Sequence, residues 1–351
     1  MEYTHTENLL RLLAIAKNLS PDLQHEINAN AGNFLEQLGV GTFLMEDLND
    51  EQQTEDDIRT LVQCVPTSLF DCKTIEFPDD YELPYVYHFP VQICVRHLQR
   101  ASFIPLLAEE GMKHNVGGDG MRGGLLCKDA HKYNVLQGLS TVRRDGFEIE
   151  GYDERFLDVF KRLREMDLLK KEDIMEYNLL LCSCYIRCRK RFNYFADWDP
   201  APLKELQIGD EGDLLLHISA FHNYRGTFKL ALTATLRHFP EELGLLFVKN
   251  NEGSTSFQIA NDNFGQTKTW ETIEACLNEC DEKILEMKNP PTTGMYPFMI
   301  AAEGDTSELN MVYYLLRRNP VVLESTCMAK VGLRVVPELK KRKRSGDERR
   351  G

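Results

Sequence analysis

Three cysteines, Cys182, Cys184 and Cys188, fall within seven residues of one another, and close thiols are the first place to look for chemistry. A zinc site of this kind needs a closely spaced Cys pair matched by a second Cys or His pair. The spacing here lacks that form, and on a helix Cys182 and Cys184 face different sides. Cys276 and Cys280 stand one helical turn apart and supply no such match. The reading set against a zinc site is small residues in a helix core. His217 is a candidate general base, but no Ser or Cys nucleophile signature surrounds it. Gly117-Gly-Asp-Gly120 with Gly123-Gly124 lacks the strand, spacing and Lys-Ser/Thr of a phosphate loop and reads as a flexible connection. Asp197-Trp198-Asp199 sets two carboxylates beside an aromatic, which would suit acid–base or metal work. It precedes Pro200 at an expected helix end, where a structural role is favoured. No catalytic residue, metal ligand or cofactor is assigned from these residues.

The elements carrying them belong to a chain of 351 residues, 42% hydrophobic and 27% charged. That is enough apolar material for a core, so wholesale disorder is not expected. The net charge is −14. Leu339–Gly351 carries seven basic and two acidic residues, which leaves −19 on the rest. An acidic body repels nucleic acid and anionic membrane. The first residues lack a basic segment followed by an apolar one, so no signal peptide is read. The longest near-apolar stretch, Leu179–Ile186, is too short to span a bilayer. An intracellular protein with reduced thiols is the expectation.

A fixed period appears in the C-terminal half. Gly212-Asp-Leu-Leu-Leu-His217-Ile-Ser-Ala220, Gly253-Ser-Thr-Ser-Phe-Gln258-Ile-Ala-Asn261 and Gly294-Met-Tyr-Pro-Phe-Met299-Ile-Ala-Ala302 are alike, their glycines 41 residues apart each time. Glycine permits the positive φ of a tight turn. A helix start follows, with Thr255 as a cap and Pro297 in the first turn. Leu216, Phe257 or Phe298 comes next, and then small residues that let a neighbouring helix approach. A second helix follows each short one. Its stripe is Phe228, Ala231, Leu232, Thr235, Leu236 and Phe239, then Trp270, Ile273, Cys276 and Leu277, then Leu309, Val312, Leu315 and Leu316. Pro240 and Pro320 stop the first and third. Pro-x-x-Leu recurs at Pro66, Pro200, Pro240 and Pro320. Phe89-Pro90-Val91-Gln92-Ile93 and, more weakly, Asn134-Val135-Leu136-Gln137 resemble the helix-start motif. Two further stripes are Phe156, Val159, Phe160 and Leu163, and Ile174, Tyr177, Leu180 and Leu181.

At these residues the chain resembles ankyrin repeats, whose pattern is Gly-x-Thr-Pro-Leu-His-x-Ala-Ala. It is similar in particular to the large family of divergent ankyrin-like proteins of diatoms. That similarity rests on Arg122-Gly-Gly-Leu-Leu-Cys-Lys-Asp129, Arg191-Phe-Asn-Tyr-Phe-Ala-Asp-Trp-Asp-Pro200 and Gly294 to Asp305, and spans about residues 60 to 325. The period of 41 exceeds the usual one of about 33, the Thr-Pro pair is complete in no repeat, and the His is kept only at His217. The resemblance implies that His217 bonds backbone between repeats.

The expectation is an all-α fold: an ankyrin-like helical solenoid with a helical N-terminal region. Residues 1–75 form a helical cap region, 76–338 a degenerate repeat array and 339–351 a basic, disordered tail. The structural motif residues are Gly212, Leu216, His217, Gly253, Phe257, Gly294, Pro297 and Phe298. Stacked pairs shelter apolar faces that no pair buries alone, which favours a non-catalytic scaffold for a protein partner. A basic partner suits the acidic body. Binding of nucleic acid by the folded body and insertion into a membrane are not expected. Lys340, Lys341, Arg342, Lys343 and Arg344 read as a nuclear import signal or as a solvated basic tail, so the location is cytoplasmic or nuclear. Alternatives are a nuclear adaptor imported through that tail, or a zinc protein using Cys182, Cys184 and Cys188.

Overall fold

The fold is seen in a computed structural model. It describes residues 50–64, 66–70, 73–75, 85–87, 89–95, 98–129, 131–141, 151–185, 188–205, 212–221, 225–279, 297–302 and 309–318. These are mostly helical. The chain divides into two compact units, one ending at Pro202 and the other beginning at Leu203. The expected boundaries at 75/76 and 338/339 are not the ones that separate these units. Residues 1–49, the tail with Lys340 to Arg344, and Gly294 lie outside the described residues.

The N-terminal unit contains α1 (Glu55–Cys64), a 3-10 turn at Pro66–Leu69, β1 (Lys73–Ile75), β2 (Tyr85–Tyr87), α2 (Pro90–Cys94), α3 (Leu98–Ala101) and α4 (Ile104–Lys113). It continues with α5 (Val135–Thr141), α6 (Tyr152–Glu165), α7 (Asp173–Glu176), α8 (Leu179–Tyr185) and α9 (Arg189–Trp198). A short α10 (Ala201–Lys204) falls at the division. The two strands pair antiparallel, Thr74 opposite Val86, and their ladder crosses the boundary drawn from sequence after residue 75. The sequence reading named no strand there, because three residues are too few for a period of two to register.

The longest described helix of this unit shows why these residues form helix. Asp153 and Glu154 lie in the first turn of α6, with Arg162 and Arg164 in the last, which complements the helix dipole at both ends. Phe156, Leu157, Val159, Phe160 and Leu163 make its buried stripe. Each of the larger ones contributes about 2–3 kcal/mol by leaving water. Phe160 meets Phe195 of α9 edge to face, at 4.9 Å between centroids. The stripe from Ile174 to Leu181, read as one helix, is two. Asn178 has φ 52°, which ends α7 and starts α8.

Helix packing in this unit follows two tracks. The short α2 packs on α5 and α5 on α8, while the longer α4 packs on α6 and α6 on α9. Pairs α2/α4 and α8/α9 close the hairpins, and α1 packs on α4. The C-terminal unit contains α11 (Leu215–Phe221), α12 (Arg225–His238), α13 (Ser256–Phe264) and α14 (Gln266–Glu279). There α11 packs on α12 and α13, α12 on α14, and α13 on α14. The helices α15 (Pro297–Ala301) and α16 (Leu309–Arg318) pack on one another. A 3-10 segment, Pro240–Leu245, folds back on α12. The Pro-x-x-Leu signature is therefore a turn that drives its leucine inward: Leu69, Leu203 and Leu243 are all buried. No helix among the described residues is long and apolar enough to cross a membrane.

One polar side chain anchors the N-terminal unit from inside. Arg191 is 1% exposed. Its Nε donates to Asp153 Oδ1 at 2.8 Å, and its guanidinium also donates to the Leu139 carbonyl at the end of α5 and lies over the Phe156 ring. Asp153 in turn accepts from the backbone N–H of Lys190 at 2.6 Å, serving as a cap for α9 from the neighbouring helix. Removing a buried cation strands its partners. Arg191→Met is expected to lower unfolding free energy by about 3 kcal/mol. Asp153→Asn, whose amide oxygen still accepts, is expected to cost about 1 kcal/mol. Denaturant titration of the two variants checks the order; a milder Arg191→Met would refute the anchor.

Candidate functional site

Sequence reasoning pointed to His217, and its surroundings define what the ring does. It is fully buried, on α11 three residues after Leu214. The Leu214 N–H donates to Nδ1 at 3.0 Å, and Nε2 lies 2.9 Å from the Val248 carbonyl, to which it donates. One ring nitrogen accepts and the other donates, so the imidazole is neutral and both nitrogens are spent on backbone. Burial is the main cause that pushes its pKa below the ordinary value; the Val248 carbonyl and Asp213 pull the other way. With no lone pair left, the ring cannot take a proton from a substrate. It fastens the start of one helix to the loop before the next.

The same device recurs with glutamine. Gln92 Oε1 accepts from the Phe89 N–H at 3.0 Å, and Gln92 Nε2 donates to the Cys127 carbonyl at 2.8 Å. Gln137 Oε1 accepts from the Asn134 N–H, and Gln258 Oε1 from the Thr255 N–H. Asn134 and Thr255 return the bond to the N–H groups of Gln137 and Gln258, the reciprocal pairing of a capping box. The carbonyls of Cys127 and Val248 each lie seven residues before the next helix cap, Asn134 or Thr255.

The loops before those caps match as well. Asp129 Oδ1 accepts from the N–H groups of His131 and Tyr133. Asn250 Oδ1 accepts from those of Glu252 and Ser254. Asp129 N–H bonds the Tyr133 carbonyl, and Asn250 N–H the Ser254 carbonyl. Two residues before the cap the backbone turns left-handed: φ 67° at Lys132, 68° at Gly212 and 83° at Gly253. Gly212 has a second constraint, since a Cβ there would stand 2.7 Å from the Asn251 side chain. Asn250 Nδ2 also donates to Asp213, joining successive loops. Sequence reasoning missed Asp129 and Asn250. The signal was an Asx five residues before each cap, but one Asp and one Asn 121 residues apart carry no visible period.

Leu216 and Phe257 are buried one position before His217 and Gln258, and Phe257 packs on Phe247 at 5.6 Å between centroids. Pro297 and Phe298 open α15. The glycine-rich segment is not a slack connection. Consecutive turns run through it, and Gly123 lies against α4 so closely that a Cβ would come within 2.0 Å of the Ala108 carbonyl. Arg122 leaves this segment to pair with buried Asp173 at 2.5 Å and to bond the Leu168 carbonyl. The glycines serve close approach, not freedom of movement.

The other chemical candidates do not converge. Cys184 is buried, and burial pushes its thiol up to about 12; Cys182 is raised to about 11 for the same reason. Such thiols stay protonated near neutral pH, whereas nucleophiles are thiolates. Among the described residues no group of three His, Cys, Asp or Glu side chains is placed to hold a metal ion. Of the paired carboxylates, Asp197 is exposed, while Asp199 is buried and paired with Lys171. Trp198 lies under the Arg164 guanidinium at 3.9 Å, which packs α9 against α6. The chain matches no model of a known protein family, no curated protein and no solved structure in the comparisons made.

Glutamine at the two-sided position gives a direct test. His217→Ala leaves the Leu214 N–H and the Val248 carbonyl buried without partners and is expected to cost about 2–4 kcal/mol. His217→Gln keeps both bonds, as Gln92 does, and is expected to cost under about 1 kcal/mol. The fold holds the neutral imidazole, so its pKa is lowered on folding. The unfolded chain then binds the proton first, and stability is lost as pH falls below about 6.5. His217→Gln should flatten that loss. Urea melts of the three proteins between about pH 7.5 and 5 measure it; equal acid sensitivity in wild type and His217→Gln would refute the role.

Proposed function

We propose that the chain is a non-catalytic scaffold that holds a protein partner on an ankyrin-like solenoid of helix pairs. The observation that carries the reading is the two-track packing. In the C-terminal unit α11 packs on α13 while α12 packs on α14, and the intervening loops are tied by His217. In the N-terminal unit α2, α5 and α8 form one track, and α4, α6 and α9 the other. Packing of like on like, with only neighbours in contact, is how repeat arrays complete a core. Such arrays recognise proteins along the short helices and the loops before them. No cofactor, metal, nucleic acid or membrane enters the reading. A partner with a basic patch suits a body near −19, since opposite charge speeds encounter.

Affinity capture with the full chain followed by mass spectrometry is expected to return one or a few proteins, released in part as salt rises. Failure to enrich any protein would sink the scaffold reading, and binding indifferent to salt would remove the electrostatic part alone. The basic run Lys340, Lys341, Arg342, Lys343 and Arg344 favours a second reading, in which this scaffold works as a nuclear adaptor. A reporter fused to residues 336–351 is expected to enter nuclei and to lose that ability when the five basic residues are replaced. Equal cytoplasmic distribution of both fusions would end this second reading.

A further inference from the structure

The long helices of the C-terminal unit share one register. Ala231, Leu232, Thr235 and Leu236 of α12 are buried, and 41 residues on so are Thr272, Ile273, Cys276 and Leu277 of α14. The same four positions recur 80 residues on in α16, where Met311 and Leu315 are buried and Val312 and Leu316 half-buried. Pro320 stands at the same spacing from Pro240.

In that register one position meets the next long helix. On α12 it is Lys229, whose Nζ donates to Glu279 of α14 at 2.7 Å. One turn on, Thr233 Oγ1 lies 3.5 Å from Cys276 Sγ of α14. On α14 it is Trp270, which meets Tyr314 of α16 edge to face at 5.1 Å between centroids. On α16 it is Leu309, 74% exposed, with Tyr313 in the place of Thr233 and 68% exposed. So α16 presents the face by which α12 receives α14 and α14 receives α16. Arg317 continues this face one turn further and is exposed. Between α12 and α14 the cations of one helix are answered by acids of the next, Arg225 by Glu271 and Lys229 by Glu279. Arg317 forms no ion pair among the described residues.

We infer that Leu309, Tyr313 and Arg317 seat an amphipathic helix of the partner protein, stacked on α16 as α14 is stacked on α12. Its apolar side covers Leu309 and Tyr313, and an Asp or Glu meets Arg317. This rests on the scaffold reading above and names the site and the shape of what that scaffold holds. Register selects the shape, because a helix packs against this position on both α12 and α14. Residue type selects the chemistry. A long helix that closes a repeat array is polar on its outer side, whereas α16 carries Leu and Tyr where α12 carries Lys and Thr. Those two side chains leave water only when an apolar surface covers them. The chain's own residues one step of 41 beyond Asp305–Asn310 are Gly346-Asp-Glu-Arg-Arg-Gly351, which hold no apolar side chain to match this face.

The probe is a phage-displayed library of an alanine-based helix randomised along one face, panned on the full chain. Tyr313→Asp and Leu309→Asp test the seat. Phe221→Asp, at a side chain 72% exposed on α11, controls for any surface aromatic. All three side chains face solvent, so circular dichroism should match wild type. Wild type is expected to enrich helices with apolar residues four apart and an acid one turn away. Tyr313→Asp and Leu309→Asp should each weaken the selected helices by about tenfold or more, and Phe221→Asp by less than about twofold. Arg317→Ala should weaken them by about threefold and flatten their response to salt between about 0.1 and 0.5 M. Selected helices that bind both Asp variants of α16 as tightly as wild type would overturn the seat, and so would no enrichment. The scaffold reading is decided separately, by affinity capture. Sedimentation of the chain alone is expected to show a monomer. A dimer that Tyr313→Asp dissociates would give this face to a second copy and overturn the partner seat.

Discussion

In α2, α5, α11 and α13 a side chain three residues past the cap reaches back to the N–H that opens the helix. Short helices cannot hold themselves in water, because the first turns fix several residues for few bonds. Here the orphan N–H of the cap is met by Gln92, Gln137, His217 or Gln258. At Gln92 and His217 the far side of the same group also reaches the loop before the next short helix. One side chain thus settles a local account and sets the distance between neighbours. Remove it, and a helix of seven residues such as α11 has neither a capped start nor a fixed position on α13.

The two loops that receive these bonds are built alike although their sequences differ. Asp129 and Asn250 fold their loops through identical pairs of backbone N–H groups, and Lys132 takes the left-handed conformation that Gly253 takes with less strain. Backbone geometry is therefore more constant along this chain than residue identity. This follows from what each position needs. The loop needs an acceptor of the right reach, which Asp and Asn both supply. The cap needs a group that accepts at one end and donates at the other, which Gln and neutral His both supply.

That tolerance explains how much was legible. The turns at Gly212 and Gly253, the short helix after each and the stop at Pro240 were plain, because turn and stop chemistry admits few residue types. The helix stripes of α6 and α12 were plain because apolar burial has a period. The break at Asn178 was hidden, since Ile174 and Leu181 keep helical spacing across it. The glycine-rich segment misled because composition reports freedom of φ but not what lies against the backbone. Gly123 is small for Ala108, which no local pattern reveals. Arg191 was quoted only as part of a family motif, and its contacts with Leu139 and Asp153 join residues tens of positions apart. Phe221 could not be separated from core aromatics by sequence, because its helix carries no charged residue to mark an outward face.

The exposed face of that helix follows from the same tie. In a longer helix one stripe packs and the rest is charged, as in α6. A seven-residue helix packed on a second helix and on its neighbour has little surface left to charge. Leu215, Leu216, His217, Ser219 and Ala220 are all buried, which leaves Ile218 and Phe221 facing outward. Placing a charge there would be cheap for solubility, and the long helices show that this chain uses charge freely where helices meet water. An exposed Phe at 72% on a tethered backbone is then what remains where packing has used the other sides of the helix.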